Sequence, residues 1–317
     1  MERSYIRKIR GLYKLNIRLK TKNGGFSLKK DNIFWACVFL APLVIGLILF
    51  LVVPLGYAVY LSFNKYNLFV TEFVGFENFK RLFTVDTQFL PSIKNAFIYA
   101  LFVPITMVLA MFFANFFTKN FVGSGFYKMI FFLPTICSAV AITFMWKWLY
   151  NTEYGPIGLL LRALGFEKIN FLDNKHAMGS IIAMSVWSGF GTSFLLYVAA
   201  IKNVPASCLE AAQIDGANEF VKFYKIIFPL ISPTSFYIFI TGIIGAIQGF
   251  AIFFSMTGGV SPESVVMPVT IIYMYAGHGW GLEFGYASAL AIILGLIVGV
   301  LTIINFVVSK YWVYDND

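Results

Sequence analysis

Few side chains in this sequence could do chemistry, and those placed where it matters are neutral. Thr241, Gln248 and Ser255 recur seven residues apart within one apolar run, so a helix would align them in a stripe. Ser185, Ser188, Gly189 and Thr192 share a helical face in another run, at i, i+3, i+4, i+7 steps. Such hydroxyls and amides can hold an uncharged polyol or sugar, helped by aromatic stacking, or they can cement one helix to another. Facing lipid, the Gln248 amide would lack partners at a cost of several kcal/mol, so its stripe must meet protein or water. Solute cavity and helix cement are both open readings for Ser188, Thr192, Thr241, Gln248 and Ser255.

Other chemistries are excluded by what is missing. No G-x-x-x-x-G-K-[ST] stretch occurs, so a P-loop for ATP is absent. His176 and His278 are the only histidines and stand far apart, which argues against a histidine-rich metal site. There is no Gly-x-Ser-x-Gly elbow. Asp and Glu are essentially missing from the apolar runs, whereas a proton- or sodium-coupled carrier keeps acids there. Cys37, Cys137 and Cys208 are scattered and read as small apolar residues. The expectation is a chain that binds no cofactor or metal and is not itself an enzyme.

The elements that must position these residues are membrane spans. The 317 residues are 59% hydrophobic, far above a soluble globular composition. Six runs near 33–61, 95–117, 127–149, 180–201, 234–256 and 285–308 reach the length of about 20 residues that a bilayer demands. The net charge of +9 does not point to nucleic acid, because ten Lys and Arg lie in residues 1–30. Lys119 and Lys128 flank the second loop and Lys202, Lys222 and Lys225 the fourth, Lys310 follows the last span, and the 255–284 loop has no Lys or Arg. The positive-inside rule therefore puts both termini and the loop around Glu210 in the cytoplasm. The 63–94 loop fits less well, with Lys65, Lys80, Arg81 and Lys94.

The expected organisation is a basic tail over 1–32, a six-helix membrane domain over 33–310 and a short cytoplasmic end over 311–317. Arg3, Arg7, Arg10, Lys14 and Arg18 would stack on one face of a helix suited to an anionic leaflet. A topogenic tail that merely sets orientation is the equal alternative. The run after the tail is span-length, so the tail is not a cleavable signal peptide. Lys147, between Trp146 and Trp148, reads as a cation snorkelling to the interface, with a role in the solute path as the lesser alternative.

The polar segment 205–233 separates two of these runs. Glu210-Ala211-Ala212-Gln213-Ile214 is strong helix-forming sequence, and Asp215-Gly216 stops it because glycine accepts the positive φ of a helix end. A second helical piece places Phe220, Phe223, Ile226 and Ile227 on one face, and Pro229 is expected to close it. The product is a helix-turn-helix elbow at the membrane surface.

Glu210-Ala211-Ala212, Asp215-Gly216-Ala217, then Phe223, Ile227 and Pro229 in order resemble the EAA loop of binding-protein-dependent ABC importer permeases. Ser62-Phe63-Asn64-Lys65-Tyr66-Asn67-Leu68 and Phe73-Val74-Gly75-Phe76-Glu77-Asn78-Phe79 resemble carbohydrate permeases of the maltose and glycerol-phosphate type. So do Thr257-Gly258-Gly259 and Gly285-Tyr286-Ala287-Ser288-Ala289, although Val260-Ser261 stand where relatives continue directly with Gly-Pro. The likeness runs from about Pro42 through the sixth span and leaves out the tail.

That resemblance implies an all-α, six-span permease of the type I ABC importer architecture with a cytoplasmic EAA elbow. It implies a second homologous permease, two ATP-binding subunits that use ATP and Mg, and an extracytoplasmic solute-binding protein. Glu210, Ala211, Ala212, Asp215, Gly216, Ala217, Phe220, Phe223 and Pro229 would couple to the ATPases, and the neutral residues above would line the path. The solute would be a sugar or oligosaccharide, or alternatively another polar solute such as a glycerol-phosphate compound. A stand-alone carrier would instead transport without ATPases, and a scaffold or receptor would show no solute-stimulated ATP hydrolysis.

Overall fold

The computed structural model describes residues 30–118, 123–258, 262–277 and 279–314. The predicted basic tail up to residue 29, Lys119, Gly259, Val260, Ser261, His278 and residues 315–317 lie outside the described residues. Contacts divide the chain into two units, which part between Tyr57 and Ala58.

In the first unit, α1 (Lys30–Leu47) passes through a π-turn at Ile48–Val52 into α2 (Val53–Ser62). Pro54 cannot donate a ladder bond, and just before it the Val53 amide reaches back to Ile48 O, one residue beyond the α pattern. Phe34–Ser62 is long and apolar enough to cross a membrane. Its side chains are apolar on every face, as lipid contact requires.

The second unit opens with the end of α2 and a feature that an all-α reading did not anticipate. Strands β1 (Asn64–Asn67) and β2 (Val70–Phe73) pair antiparallel, Asn64 opposite Phe73 and Asn67 opposite Val70. Asn67 makes the turn, its Oδ1 accepting from the amides of Phe69 (3.1 Å) and Val70 (2.7 Å). A short helix α3 (Glu77–Thr84) follows, then α4 (Phe89–Ala100) and α5 (Phe102–Phe117), which together form one span. This span starts six residues before the expected 95 and so includes Lys94, whose side chain is exposed.

The third span is not the single helix expected over 127–149. Helices α6 (Ser124–Ile136) and α7 (Ala139–Leu149) meet at 99°. Pro134 removes a ladder bond, and Cys137 and Ser138 then adopt extended backbone, with ψ of 147° and 137°. A short α8 (Pro156–Ala163) precedes α9 (Ala177–Lys202), the straight fourth span. After it come α10 (Ala206–Ile214) and α11 (Glu219–Leu230), the latter bent 64° from α12 (Ser232–Ile247). The fifth run stops again at Ile247 and resumes as α13 (Ala251–Thr257). Helix α14 (Pro268–Tyr275) lies in the loop before α15 (Phe284–Ser309), the sixth span. Among the described residues four helices are long and apolar enough to cross a membrane, or up to six spans if each bent pair is counted as one.

α9 organises the packing of this unit. It lies along α5 and α6, with Phe194 and Tyr197 buried in an aromatic cluster with Phe117, Phe131 and Phe190. A Cβ at Gly191 would overlap the Phe131 carbonyl oxygen and stand 2.7 Å from Thr135 Oγ1, so only glycine lets α9 and α6 approach so closely. Gly189, on the predicted face with Ser185, Ser188 and Thr192, has Phe102 as its nearest neighbour at 3.7 Å.

Candidate functional site

The elbow is built from ordinary helix-end chemistry. α10 ends in a Schellman motif: the Gly216 amide bonds Gln213 O at 3.1 Å and the Ala217 amide bonds Ala212 O at 2.9 Å. Gly216 has φ +77°, as the turn requires. Asn218 then caps α11, its Oδ1 accepting from the Val221 amide at 2.9 Å. Ala212 is buried under the turn, while Glu210, Ala211, Asp215 and Gly216 face outward and Ala217 is half-buried. Ile214 is 87% exposed, an unusual state for isoleucine. Glu210 has no ion-pair partner among the described residues.

The second half of the elbow departs from the expected amphipathic face. Phe223 and Ile227 turn inward toward Phe194 and Ile201, but Phe220 is exposed. Phe220 sits in the first turn of α11, beyond that cluster, and lies parallel to Tyr224, which lies parallel to Phe228. A π-turn spans Phe223–Ile227 and includes residues of both sets. Pro229 does not end the helix, which runs to Leu230; the bend comes at Ile231.

The neutral stripe of the fifth run is interrupted. Gln248 is the residue at which α12 ends, with φ −90° and ψ 9°, and Phe250 (φ −131°) precedes α13. Thr241 and Ser255 therefore lie on different helices, and the seven-residue spacing through Gln248 no longer makes one face. Thr241 and Gln248 are exposed, and Ser255 is half-buried. Glycine permits the break: a Cβ at Gly249 would meet Ala246 O at 3.0 Å and both Phe253 and Tyr99 at 3.4 Å. Gly242 lets Val103 approach, whereas Gly245 has open space.

On α9 the predicted face divides. Ser185 is buried and pairs with the Tyr99 hydroxyl at 2.9 Å. Ser188 is half-buried, its hydroxyl donating to Ser185 O at 3.3 Å. Thr192 is exposed on the same helix. Ser185 is thus helix cement, and Thr192 is free to meet a cavity or another chain. Tyr99 was not singled out from the sequence, yet it touches Phe253 edge-on and joins α4, α9 and α13. Trp146, edge-on to Trp187 beside Lys147, keeps a buried Nε1 without an acceptor among the described residues.

A second cluster was also missed. Arg81 on α3 pairs with Glu283 and stands over the rings of Tyr286 (4.1 Å) and Tyr275 (5.5 Å). Tyr286 donates to Asp86 Oδ2 at 2.6 Å. Burial works against the Arg81 charge, but the Glu283 hydrogen bond and carboxylate outweigh it and hold the guanidinium above its ordinary pKa. The only sequence signal was the surplus of cations in the 63–94 loop. Beside this cluster an open cleft of about 1160 Å³ is lined by Lys65, Glu72, Lys80, Arg81 and Glu283, among others. It lies at the hairpin, not along Gln248.

The family described as binding-protein-dependent transport system inner membrane component matches residues 31–312. The chain is 35% identical over 293 residues to the probable ABC transporter permease protein YesP of Bacillus subtilis (strain 168), covering 91% of this chain and 94% of that one. It is 30% identical over 273 residues to the sn-glycerol-3-phosphate transport system permease protein UgpA of Shigella flexneri, covering 85% and 92%. Its fold is similar to a chain of a bacterial alginate ABC transporter solved with an alginate pentasaccharide-bound periplasmic protein. That likeness has TM-score 0.79 at 20% identity, covering 89% of this chain and 96% of that one.

Proposed function

The chain belongs to the binding-protein-dependent transport system inner membrane components, and from that premise we propose that it carries a sugar or oligosaccharide. It is a multi-pass inner-membrane ABC importer permease, a non-catalytic subunit of which no cofactor is expected. ATPase and permease partners are implied by the family. In the finer reading, a related permease completes the path, and two ATPases dock below and couple to this chain through the Glu210–Ala217 elbow. A solute-binding protein delivers from the hairpin side, and both termini are cytoplasmic. ATP closes the ATPases, the elbow carries that motion into α12, and the path opens alternately to either side.

One observation carries the solute assignment: the exposed amide of Gln248 stands where the fifth span is broken. Non-helical backbone at membrane depth is tolerated where protein buries it or water lines it. An exposed amide beside such a break favours the water-lined case, and Thr241 and Thr192 are exposed hydroxyls on neighbouring spans. Gln248→Leu should abolish or retune sugar uptake while assembly and basal ATP hydrolysis persist. Gln248→Cys should react with small polar thiol reagents, more slowly in the presence of sugar. Inaccessibility in every nucleotide state, or loss of the complex in the leucine variant, would make Gln248 helix cement instead. A glycerol-phosphate compound is the second reading, favoured by the 30% identity to UgpA proteins.

A further inference from the structure

The chain does not run straight on after the sixth span. Beyond Ser309 it turns, with the amides of Trp312 and Val313 both bonded to Ser309 O (3.1 and 2.9 Å). The turn brings residues 312–314 back onto the first turn of α12. The Tyr314 amide donates to Ser232 Oγ at 2.8 Å, and the Ser232 hydroxyl donates to Pro229 O at 2.6 Å. Ser232 is fully buried, so its hydroxyl spends both roles inside the protein, donor to α11 and acceptor from the chain end. Beside it Trp312 meets Phe236 edge-on at 6.2 Å, and Phe236 meets Phe306 of α15 at 5.2 Å.

The location of this contact matters more than its strength. Ser232 is the first residue after the 64° bend between α11 and α12. Any swing of α11 relative to α12 must change the distance between Pro229 O and Ser232, which one hydroxyl bridges. That hydroxyl also holds Tyr314, in the segment that follows α15. We propose that Ser232, Phe236 and Trp312 form a clasp that makes the fifth and sixth spans answer together to movement of the elbow. They are positioning residues, and the proposal rests on the reading that the elbow receives the ATPase stroke. Without the clasp the stroke would tilt α12 alone, and part of each ATP cycle would pass without moving solute.

The test uses the complete complex with its ATPases in proteoliposomes, measuring recovery, solute-stimulated ATP hydrolysis and solute imported per ATP. Ser232→Ala combined with Trp312→Ala should leave recovery and hydrolysis in place. It should lower solute per ATP about fivefold, the ratio that a hydrogen bond of typical net strength commands. Ser232→Thr, which keeps the hydroxyl, should restore most of the loss. An unchanged ratio in the double variant overturns the proposal. Should the double variant fail to assemble, Ser232→Cys with Tyr314→Cys decides, in a chain whose Cys37, Cys137 and Cys208 are replaced. Oxidation to a cross-link should leave solute per ATP as it was, and arrest of transport on cross-linking also overturns the clasp. Gly216→Val is run in parallel: normal uptake and hydrolysis there would refute the elbow reading itself, whatever the clasp variants do.

Discussion

The two ends of the second unit are built by different means. At the hairpin end, charges and amides brace segments that are distant in sequence. Arg81 pairs with Glu283, Tyr286 with Asp86, and Asn78 donates to the carbonyls of Ser62 and Asn64 (2.9 and 3.0 Å). Asn95 reaches Glu263 O and Val266 O, and Asn174 receives the Ser264 amide. At the elbow end the shape comes from local helix-end chemistry, and Glu210, Ile214, Phe220 and Tyr224 are left outward. Both ends leave apolar groups outward, Phe69, Phe73 and Phe76 at the hairpin and Ile214, Phe220 and Tyr224 at the elbow. What sets the hairpin end apart is that its own long-range contacts brace it.

The contrast is sharpest in two glycines, and substituting them should give the largest effects. A Cβ at Gly285 would overlap the carbonyl oxygen of Asn64, pressing α15 off the hairpin. Neither partner is the tip of a flexible side chain, so Gly285→Val should cost about 1–3 kcal/mol or more through overpacking. Gly216 has open space around its Cβ position but a φ of +77°. Gly216→Val should cost only about 1–2 kcal/mol, the strain of a left-handed residue. Denaturant unfolding of the purified permease should rank Gly285→Val below Gly216→Val in stability. Transport should reverse the emphasis: Gly216→Val loses coupling at a stability that still permits assembly. Equal stability loss in both would dissolve the distinction between the two ends.

How much of this was legible in the sequence follows the same division. The elbow was readable because a Schellman turn is local: the six residues from Ala212 to Ala217 contain all its bonds. The apolar runs were readable from composition alone, which is why four spans fall close to their expected limits. The break at Gln248 was not, because a broken and an unbroken apolar helix have the same hydropathy. Gly249 was its one local sign, and Tyr99, which packs on it, lies some 150 residues earlier by number. The Arg81–Glu283 pair joins residues 202 apart, beyond any periodicity. It does leave a trace, since the cations that spoiled the charge rule in the 63–94 loop include the one that Glu283 answers.

The pair itself gives the next prediction. Both side chains are more than a third exposed, so solvent screens the attraction. A double-mutant cycle of Arg81→Ala and Glu283→Ala should return a coupling of about 0.2–1 kcal/mol, falling as salt rises. Arg81→Lys should recover less than the charge alone suggests, because lysine loses the forked contact to Glu283 and the planar stacking over Tyr286. A cycle at Glu219 and Lys222 on the elbow, three residues apart in one turn with the Glu219 side chain 68% exposed, should return less still. If the elbow pair couples as strongly as Arg81 with Glu283, bracing is not confined to the hairpin end.

The smallest effect concerns the helix caps, which also differ between the ends. At the hairpin end Asp173 precedes α9, accepting from the His176 amide at 2.8 Å, the Lys175 amide at 3.0 Å and the His176 ring Nδ1 at 2.8 Å. The His176 amide contributes most to holding this carboxyl below its ordinary pKa; burial opposes it, and the His176 ring hydrogen bond, its charge and the Lys175 amide add to the lowering. A depressed carboxylate gives stability that is present above its unfolded pKa of about 3.9 and is lost as pH falls through the lower folded value. At the elbow end the cap is Asn218, which does the same geometric work for Val221 and carries no titrating proton. Amide exchange, corrected for its intrinsic pH dependence, should therefore show His176 losing protection on acidification below about pH 4 while Val221 keeps its own. Asp173→Asn should flatten the His176 profile without removing the cap, since an amide oxygen still accepts. Parallel loss at Val221, or an unchanged profile in Asp173→Asn, would mean that acid loosens the fold as a whole and that the Asp173 carboxylate is not what the hairpin-end cap responds through.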